Sequence, residues 1–199
     1  MSFINEKNKE INFKIVYYGP AQSGKTTSLE YLFEKTRGES KSKLMQQESN
    51  ERTLFFDFMP LFLSEVNGYK TRFHVYSVPG QALYDDSRKV ILKGVDGIVF
   101  VADSALDQME ANLRSLEHLQ ANLREQGSHI GKVPLVFQYN KRDLPYAANF
   151  KALQQWLNPL GRPDYESVAI RGEGVFEAFR GIAKAVIKQY AAEGNGEKK

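Results

Sequence analysis

Two stretches of the chain, residues 97–102 and 133–139, are apolar almost without interruption. Short runs of this kind are typical of strands buried on both faces of a parallel sheet. A third run, residues 11–18, is rich in β-branched and aromatic residues and predicts a strand near the N-terminus. The polar residues 1–10 that precede it are expected to form a loose lead-in.

Apolar residues at helical spacing predict the helices. One helix face carries Met109, Leu113, Leu116, Leu119 and Leu123. The last helix has the same kind of face across residues 175–190. Two shorter helices are predicted, one ending at about Lys35 and one over residues 150–157.

A hairpin is predicted before the first continuously apolar strand. Residues 53–61 and 69–78 are two aromatic, β-branched runs, and Asn67-Gly68 between them is a turn dipeptide. A further strand is predicted near residues 165–170. Residues 37–52 are polar and without a clear period, and long loops in compact domains are usually functional or mobile.

This order of elements predicts an α/β fold. One antiparallel hairpin followed by alternating strands and helices gives a mixed, mostly parallel sheet flanked by helices on both faces. We expect a single domain over residues 1–190 and a flexible C-terminal tail over residues 191–199. Trp156 and the phenylalanines at 55, 56 and 58 are expected to lie in the core.

The composition excludes several classes of function. The 199 residues carry a net charge of +3 with no basic run, so a nucleic-acid-binding face is not expected. The absence of cysteine excludes disulfides, thiolate metal sites and cysteine nucleophiles, and fits a reducing cytoplasm. No apolar run approaches the roughly 18 residues of a spanning helix, and no signal-peptide or lipidation motif is present. We therefore expect a cytoplasmic protein that reaches a membrane only through a partner.

The octapeptide GPAQSGKT at residues 19–26 matches the phosphate-binding P-loop pattern, and it lies between a predicted strand and a predicted helix. Backbone N–H groups of such a loop and the positive end of the helix bind phosphate oxygens. Lys25 would reach the β- and γ-phosphates, and the Thr26 hydroxyl would bind Mg²⁺. The alternative is an ordinary strand–helix turn. The predicted nucleotide-binding residues of this segment are Gly19, Gln22, Ser23, Gly24, Lys25, Thr26 and Thr27.

A second motif, Asn140-Lys141-Arg142-Asp143, follows the strand that ends at Tyr139. The Asp143 carboxylate can accept hydrogen bonds from N1–H and the exocyclic amino group of guanine, and adenine offers neither donor there. The Lys141 stem would cover the base, and Asn140 would brace neighbouring loops. The backbone N–H of Ala169, at the end of a predicted strand over residues 166–170, is a candidate donor to guanine O6. Alone, this tetrapeptide would be a solvated charged turn; after a P-loop it indicates guanine binding.

Two further segments carry candidate catalytic residues. In Pro79-Gly80-Gln81, the Gly80 N–H could bond the γ-phosphate and Gln81 could orient the attacking water. A Pro-Gly turn with a surface glutamine explains the tripeptide equally well. At the end of the polar loop, Thr53 is a candidate second Mg²⁺ ligand. Arg52 is a candidate arginine finger, a group worth on the order of 10³–10⁵ in rate, although an arginine before a strand is usually only solvated.

With these motifs in this order, the chain resembles the small Ras-like GTPases, and in particular the bacterial gliding-motility and cell-polarity members. The stretches that carry the resemblance are residues 15–20, 52–58, 69–74, 78–81, 87–97 and 140–145. The resemblance implies a Ras-like P-loop G domain that uses GTP/GDP and Mg²⁺ and hydrolyses GTP slowly without an activator. It also implies a roadblock-domain homodimer as activator and Arg52 as an arginine supplied by the GTPase itself. Polarity adaptors and gliding or type IV pilus machinery would be the further partners of a chain that is a monomer alone and is recruited to a cell pole.

Two positions depart from the usual pattern. Ser77 stands where ordinary Ras-like proteins have an aspartate that holds Mg²⁺ through water, and Asp57 or solvent would have to replace it. Ala21 stands where most relatives have glycine, and its methyl lies where a catalytic group must approach the γ-phosphate. Besides a GTPase switch, the sequence therefore also allows a polarity adaptor with vestigial hydrolysis. A P-loop small-molecule kinase is disfavoured, because it would have no use for residues 140–143.

Overall fold

The computed structural model describes residues 3–36, 45–46, 54–58, 65–66, 68–80 and 85–196. Its strands are β1 (Phe3–Asn5), β2 (Glu10–Tyr18), β3 (Met45–Gln46), β4 (Leu54–Phe58), β5 (Glu65–Val66), β6 (Tyr69–Ser77), β7 (Gly97–Asp103), β8 (Leu135–Asn140) and β9 (Asp164–Glu166). Its α-helices are α1 (Lys25–Thr36), α2 (Asp85–Leu92), α3 (Met109–Glu125), α4 (Phe150–Leu157) and α5 (Val175–Gly196). Short 3₁₀ helices lie at Leu106–Gln108 and Ala169–Arg171.

The strands described form one mixed sheet in the order β3-β4-β6-β2-β7-β8-β9. Within this order, β6, β2, β7, β8 and β9 run parallel to one another. β4 joins β6 in the antiparallel sense, as the predicted hairpin requires. Because β2, β6, β7 and β8 all point the same way, their carboxyl ends meet at one edge of the sheet. In open α/β sheets, that edge is where ligands bind.

The helices cover both faces of the sheet, as predicted. On one face, α1 and α5 pack on side chains from β2, β6, β7 and β8 that include Ile15, Val75 and Val101. On the other, α2, α3 and α4 pack on a second cluster that includes Val16, Phe100 and Phe137. β7 and β8 are buried along their whole length, which explains why their sequences are apolar almost without interruption.

Buried and half-buried side chains alternate along β6 from Thr71 to Ser77. The side chains of Thr71, Phe73, Val75 and Ser77 are buried, whereas Arg72, His74 and Tyr76 are only half-buried. The helix predicted over residues 150–157 has those same bounds, and α1 ends one residue after Lys35.

Several predictions about local structure are wrong. Residues 3–5 pair with β2 as an antiparallel strand, so the N-terminal segment is not a loose lead-in there. The sequence predicted no helix between residues 81 and 97, but α2 lies at Asp85–Leu92. Its first turn carries Asp85 and Asp86, which favour a helix N-terminus. α5 continues beyond residue 190 to Gly196, so the helix reaches into the segment expected to be a tail.

Trp156 is not a core residue; 61% of its surface is exposed. The reason is local, because Leu153 and Leu157 lie one turn apart on α4 and already form its buried face. The prediction that Phe55, Phe56 and Phe58 lie in the core concerns side chains outside the described part of the structure, which gives only the backbone of β4 there. Among the described residues, no helix combines the length and apolar character needed to span a bilayer.

Candidate nucleotide-binding site

The P-loop connects the end of β2 to the start of α1 at the ligand-binding edge of the sheet. Gly19 and Gly24 have φ values of 142° and 99°. A Cβ at Gly19 would collide with the carbonyl oxygen of Val101, and one at Gly24 would collide with the Asn140 side chain. Both positions therefore require glycine, for backbone conformation and for space.

Lys25 begins α1 and is buried, with 6% of its surface exposed. Its Nζ donates to the carbonyl oxygens of Gly19 at 3.0 Å and Pro20 at 2.5 Å, inside the loop itself. Burial, and to a lesser extent the positive charge of Arg88, lower the pKa of Lys25 from 10.5 to about 7. A phosphate beside this ammonium group would offset both effects, so an anionic ligand suits the loop.

The hydroxyl residues of the loop lie around the first turn of α1. Thr26 and Thr27 are half-buried, and Ser23 is fully buried. The Ser23 Oγ has no hydrogen-bond partner among the described residues. A buried hydroxyl of this kind usually marks a ligand, water or ion position.

Asn140, at the end of β8, bonds to two other segments. Its Nδ2 donates to the Ser23 carbonyl oxygen at 2.8 Å. Its Oδ1 accepts from the Ala169 amide at 2.9 Å and from the Ser167 hydroxyl at 3.1 Å. The two sequence motifs, more than a hundred residues apart in the chain, are therefore directly bonded to each other.

A cavity of about 190 Å³ opens beside Asn140. Gln22 and Lys141 both line it, and both are non-glycine residues with positive φ values, 59° and 65°. Such strained backbone is concentrated at functional sites. Asp143 is exposed and lines the same cavity. The full lining consists of Gln22, Gly24, Thr27, Asn140, Lys141, Asp143, Leu144, Val168, Ala169 and Ile170.

Ala169 does not end a strand as predicted. β9 stops at Glu166, and Ala169 begins a 3₁₀ turn whose C-cap, Gly172, has a φ of 75°. The Ala169 amide, our candidate donor to guanine O6, donates here to Asn140. Its position on the cavity wall is as expected, but its hydrogen bond is already made within the protein.

Comparison with known proteins decides the family. The model of Arf, the ADP-ribosylation factor family, matches residues 1–186. The chain belongs to the ADP-ribosylation factor family. A relative, "Mutual gliding-motility protein MglA" from Myxococcus xanthus (strain DK1622), is 55% identical over 190 residues, which are 95% of this chain and 97% of that protein.

The expected family and fold class are thereby confirmed. The protein is a small Ras-like GTPase, and the nucleotide that its family binds is a guanine nucleotide. The P-loop and the segment from Asn140 to Asp143 are the motifs that the sequence predicts for this ligand, and Asn140 bonds the one to the other.

The end of β6 lies directly against the P-loop of this GTPase. Val78 N donates to the Tyr17 carbonyl oxygen at 3.1 Å, which continues the pairing of β6 with β2. A Cβ at Gly80 would collide with the backbone amide nitrogen of Ala21. Glycine at this position therefore allows the strand end to approach the P-loop closely.

The predicted catalytic residues, Gln81 and Arg52, and the predicted metal ligand Thr53 lie outside the described residues. Their roles therefore stay predictions. Asp57, a candidate substitute for the missing magnesium-linked carboxylate, is paired with His74 in the β4–β6 ladder. Asp57 is therefore not paired with Ser77, which is buried at the end of β6.

Sequence reasoning missed Arg88 of α2. Its side chain is almost fully buried, donates to Asp85 Oδ1 at 3.0 Å, and lies 3.5 Å from the Pro79 carbonyl oxygen. Its charge also acts on Lys25. The sequence offered no signal for this burial, because an arginine in a polar segment is ordinarily exposed.

Asp103 at the end of β7 was also missed. Its Oδ2 accepts from Lys141 Nζ at 2.5 Å, and its Oδ1 accepts from the Ala105 amide at 3.0 Å. Asn112 of α3 bonds to both the amide and the carbonyl of Asp103. An aspartate that ends a buried strand at the ligand edge was the signal available.

Proposed function

We propose that this protein is a guanine-nucleotide switch that hydrolyses GTP and controls cell polarity and motility through nucleotide-dependent partners. The main support is the hydrogen bond from Asn140 Nδ2 to the Ser23 carbonyl oxygen, because it joins a P-loop to a cavity lined by Asp143, a carboxylate that can accept from guanine. Asp143 would accept from the base, the Lys141 stem would cover it, and Lys25 would hold the β- and γ-phosphates. The Ala169 amide would be shared between Asn140 and guanine O6.

Magnesium fits the residues at this site. Among the described residues, no group of three or more His, Cys, Asp or Glu could hold a metal ion. Mg²⁺ usually takes only one or two protein oxygens and completes its shell with water and substrate phosphates. The Thr26 hydroxyl would supply one oxygen and Thr53 a second, and the ion would neutralise charge on the phosphates.

The switch itself would depend on the γ-phosphate. We propose that contacts to this group through Gly80 and Thr53 hold the segments 37–53 and 79–93 in their partner-binding arrangement, and that hydrolysis releases them. The partners would be polarity adaptors and gliding or type IV pilus machinery, with a roadblock-domain homodimer as activator. The name of the Myxococcus relative, a gliding-motility protein, supports the motility assignment.

Nucleotide binding and turnover test this proposal. Purified protein is expected to retain GTP or GDP and to bind ATP far more weakly. GTP turnover is expected to rise when a roadblock-type partner is added, and Arg52→Ala is expected to lower this stimulated rate by about tenfold or more. Equal affinity for ATP and GTP would contradict the proposal. A smaller effect of Arg52→Ala would remove only the arginine finger from it.

A second function, a polarity adaptor in which the nucleotide is only a structural ligand, is favoured by two observations. Ser77 is buried where a magnesium-linked carboxylate would be expected, and Ala21 adds a methyl group to the loop. Single-turnover GTP hydrolysis with and without the roadblock-type partner separates the two functions. An adaptor would bind GTP and show no hydrolysis under either condition.

A further inference from the structure

Gln138 is a polar residue in a strand that is otherwise almost entirely apolar. It lies in β8 between Phe137 and Tyr139, and its surface is completely buried. Burying a side-chain amide is unfavourable unless its polar atoms find partners. The hydrogen-bond partners of this amide should therefore explain why glutamine occupies the position.

Both hydrogen bonds of the Gln138 amide nitrogen go to buried serine hydroxyls. Nε2 donates to Ser28 Oγ at 3.0 Å and to Ser167 Oγ at 3.1 Å. Ser28 belongs to the second turn of the helix that follows the P-loop, and Ser167 belongs to the segment between β9 and Ala169. One side chain thus bonds to elements on both sides of the nucleotide site.

Each serine hydroxyl bonds onward to a part of the site. Ser28 Oγ donates to the Gly24 carbonyl oxygen at 2.9 Å, at the end of the P-loop. Ser167 Oγ donates to Asn140 Oδ1 at 3.1 Å, the atom that also accepts from the Ala169 amide. The hydrogen bonds therefore form a continuous chain from Gly24 through Gln138 to Asn140.

The bonding of Gln138 is incomplete in a way that argues against a role in stability alone. Its Oε1 is buried and accepts no hydrogen bond from any described residue. An apolar side chain of similar shape would avoid this unpaired oxygen and fill the same space. The residue is better explained by the two positions that its nitrogen connects.

We propose that Gln138 is a positioning residue that sets the spacing between the phosphate-binding loop and the base-binding segment. The inference rests on the proposed guanine-nucleotide function. Once a nucleotide is held at one end, binding at the other end is intramolecular and depends on the distance between the two subsites. The spacing therefore matters only for a ligand that reaches both subsites.

The test compares GDP with its two fragments, in the wild-type protein and in Gln138→Leu. The variant keeps the size of the side chain and removes both hydrogen bonds. It is expected to release GDP about tenfold faster, since two hydrogen bonds on the route are lost. Binding of guanosine alone and of pyrophosphate alone is expected to be unchanged. The matched control is Gln155→Leu on the exposed face of α4, which should release GDP at the wild-type rate.

A second background tests the route through the serines. In a Ser28→Ala/Ser167→Ala protein, the hydrogen bonds from Gln138 to the two serines are already lost. Adding Gln138→Leu is therefore expected to change GDP release by less than about twofold. If Gln138→Leu does not fold, the two serine variants carry the test, and each is expected to release GDP about threefold faster.

Three results would overturn the inference. The first is GDP release from Gln138→Leu at the wild-type rate. The second is an effect of Gln138→Leu on GDP release that is as large in the serine background as in the wild type. The third is a loss of guanosine binding large enough to account for the whole change in GDP release. For the serine variants alone, the overturning result is release at the wild-type rate from both. Wild-type protein that binds no guanine nucleotide would instead refute the proposed function.

Discussion

The proposed base-binding side and the proposed phosphate-binding side of the site meet at Asn140, yet the side chains on the two sides are bonded in different ways. On the base side, Asn140 and Lys141 bond to Ala169, Ser167 and Asp103, all within the protein. On the phosphate side, Lys25 bonds to carbonyl oxygens of its own loop, which a phosphate group would have to replace.

In the proposed function, this difference separates recognition of the base from the conformational response to the phosphate. Internal hydrogen bonds hold the cavity beside Asn140 in shape, and in the proposed function Asp143 would accept from guanine at this cavity. On the phosphate side, burial and the positive charge of Arg88 lower the pKa of Lys25, and Gly80 lies against the loop at Ala21. A phosphate bound there would favour the charged form of Lys25 and replace its bonds to the loop. Structural signals in a switch arise where a ligand alters existing contacts.

The largest expected effect is on the base side. Asp143→Asn removes the carboxylate that would accept two hydrogen bonds from guanine, and GTP affinity is expected to fall roughly 10³-fold. Binding of xanthosine triphosphate should improve, because xanthine offers an acceptor in place of the amino donor. Competition binding with GTP and xanthosine triphosphate measures both.

The control for this experiment is Asp107→Asn, an exposed aspartate with the same change in charge. It should leave both affinities unaltered. Unchanged GTP affinity in Asp143→Asn would mean that the cavity does not bind guanine through this carboxylate.

The next effect concerns the phosphate side alone. Gln81→Leu is expected to bind GTP as the wild type does and to hydrolyse it roughly 10²-fold more slowly, the scale of losing one positioned group. Single-turnover hydrolysis of bound GTP gives the rate. An unchanged rate would remove Gln81 from the mechanism, and loss of binding would show that the residue acts on affinity instead.

Ala21→Gly should act in the opposite direction on the same side. If the Ala21 methyl group lies where a catalytic group approaches the γ-phosphate, removing it is expected to speed hydrolysis by up to about tenfold. The same single-turnover measurement applies, with GDP release as the control that should stay constant. A rate equal to or below that of the wild type would show that the methyl group does not hinder catalysis.

The smallest effect is expected at Asp103, behind the base cavity. Asp103→Asn keeps the shape of the side chain and weakens its pairing with Lys141. Because 35% of the Lys141 side chain is exposed, solvent screens the pair, and GDP release should be only about threefold faster. The release rate is measured with a fluorescent GDP analogue. A loss as large as that from Asp143→Asn would make Asp103 a principal determinant of binding.

Most of the fold was predictable because its signals are local. The buried strands β7 and β8 are apolar almost without interruption, and α3 and α5 have apolar faces at helical spacing. α2 was missed because its buried face includes Arg88, and Trp156 was misplaced because an aromatic residue alone does not tell which face of α4 it lies on.

The sequence by itself determined the motifs, their order and hence the family, because the P-loop and the segment from Asn140 to Asp143 are short patterns with strict chemical requirements. Only the tertiary structure decided which atoms join them. The pairing of Lys141 with Asp103 and the bonds of Gln138 to Ser28 and Ser167 connect residues far apart in the chain. The physical reason is that parallel strands bring distant carboxyl ends to one edge, and hydrogen bonds formed there depend on register and packing that no local pattern specifies.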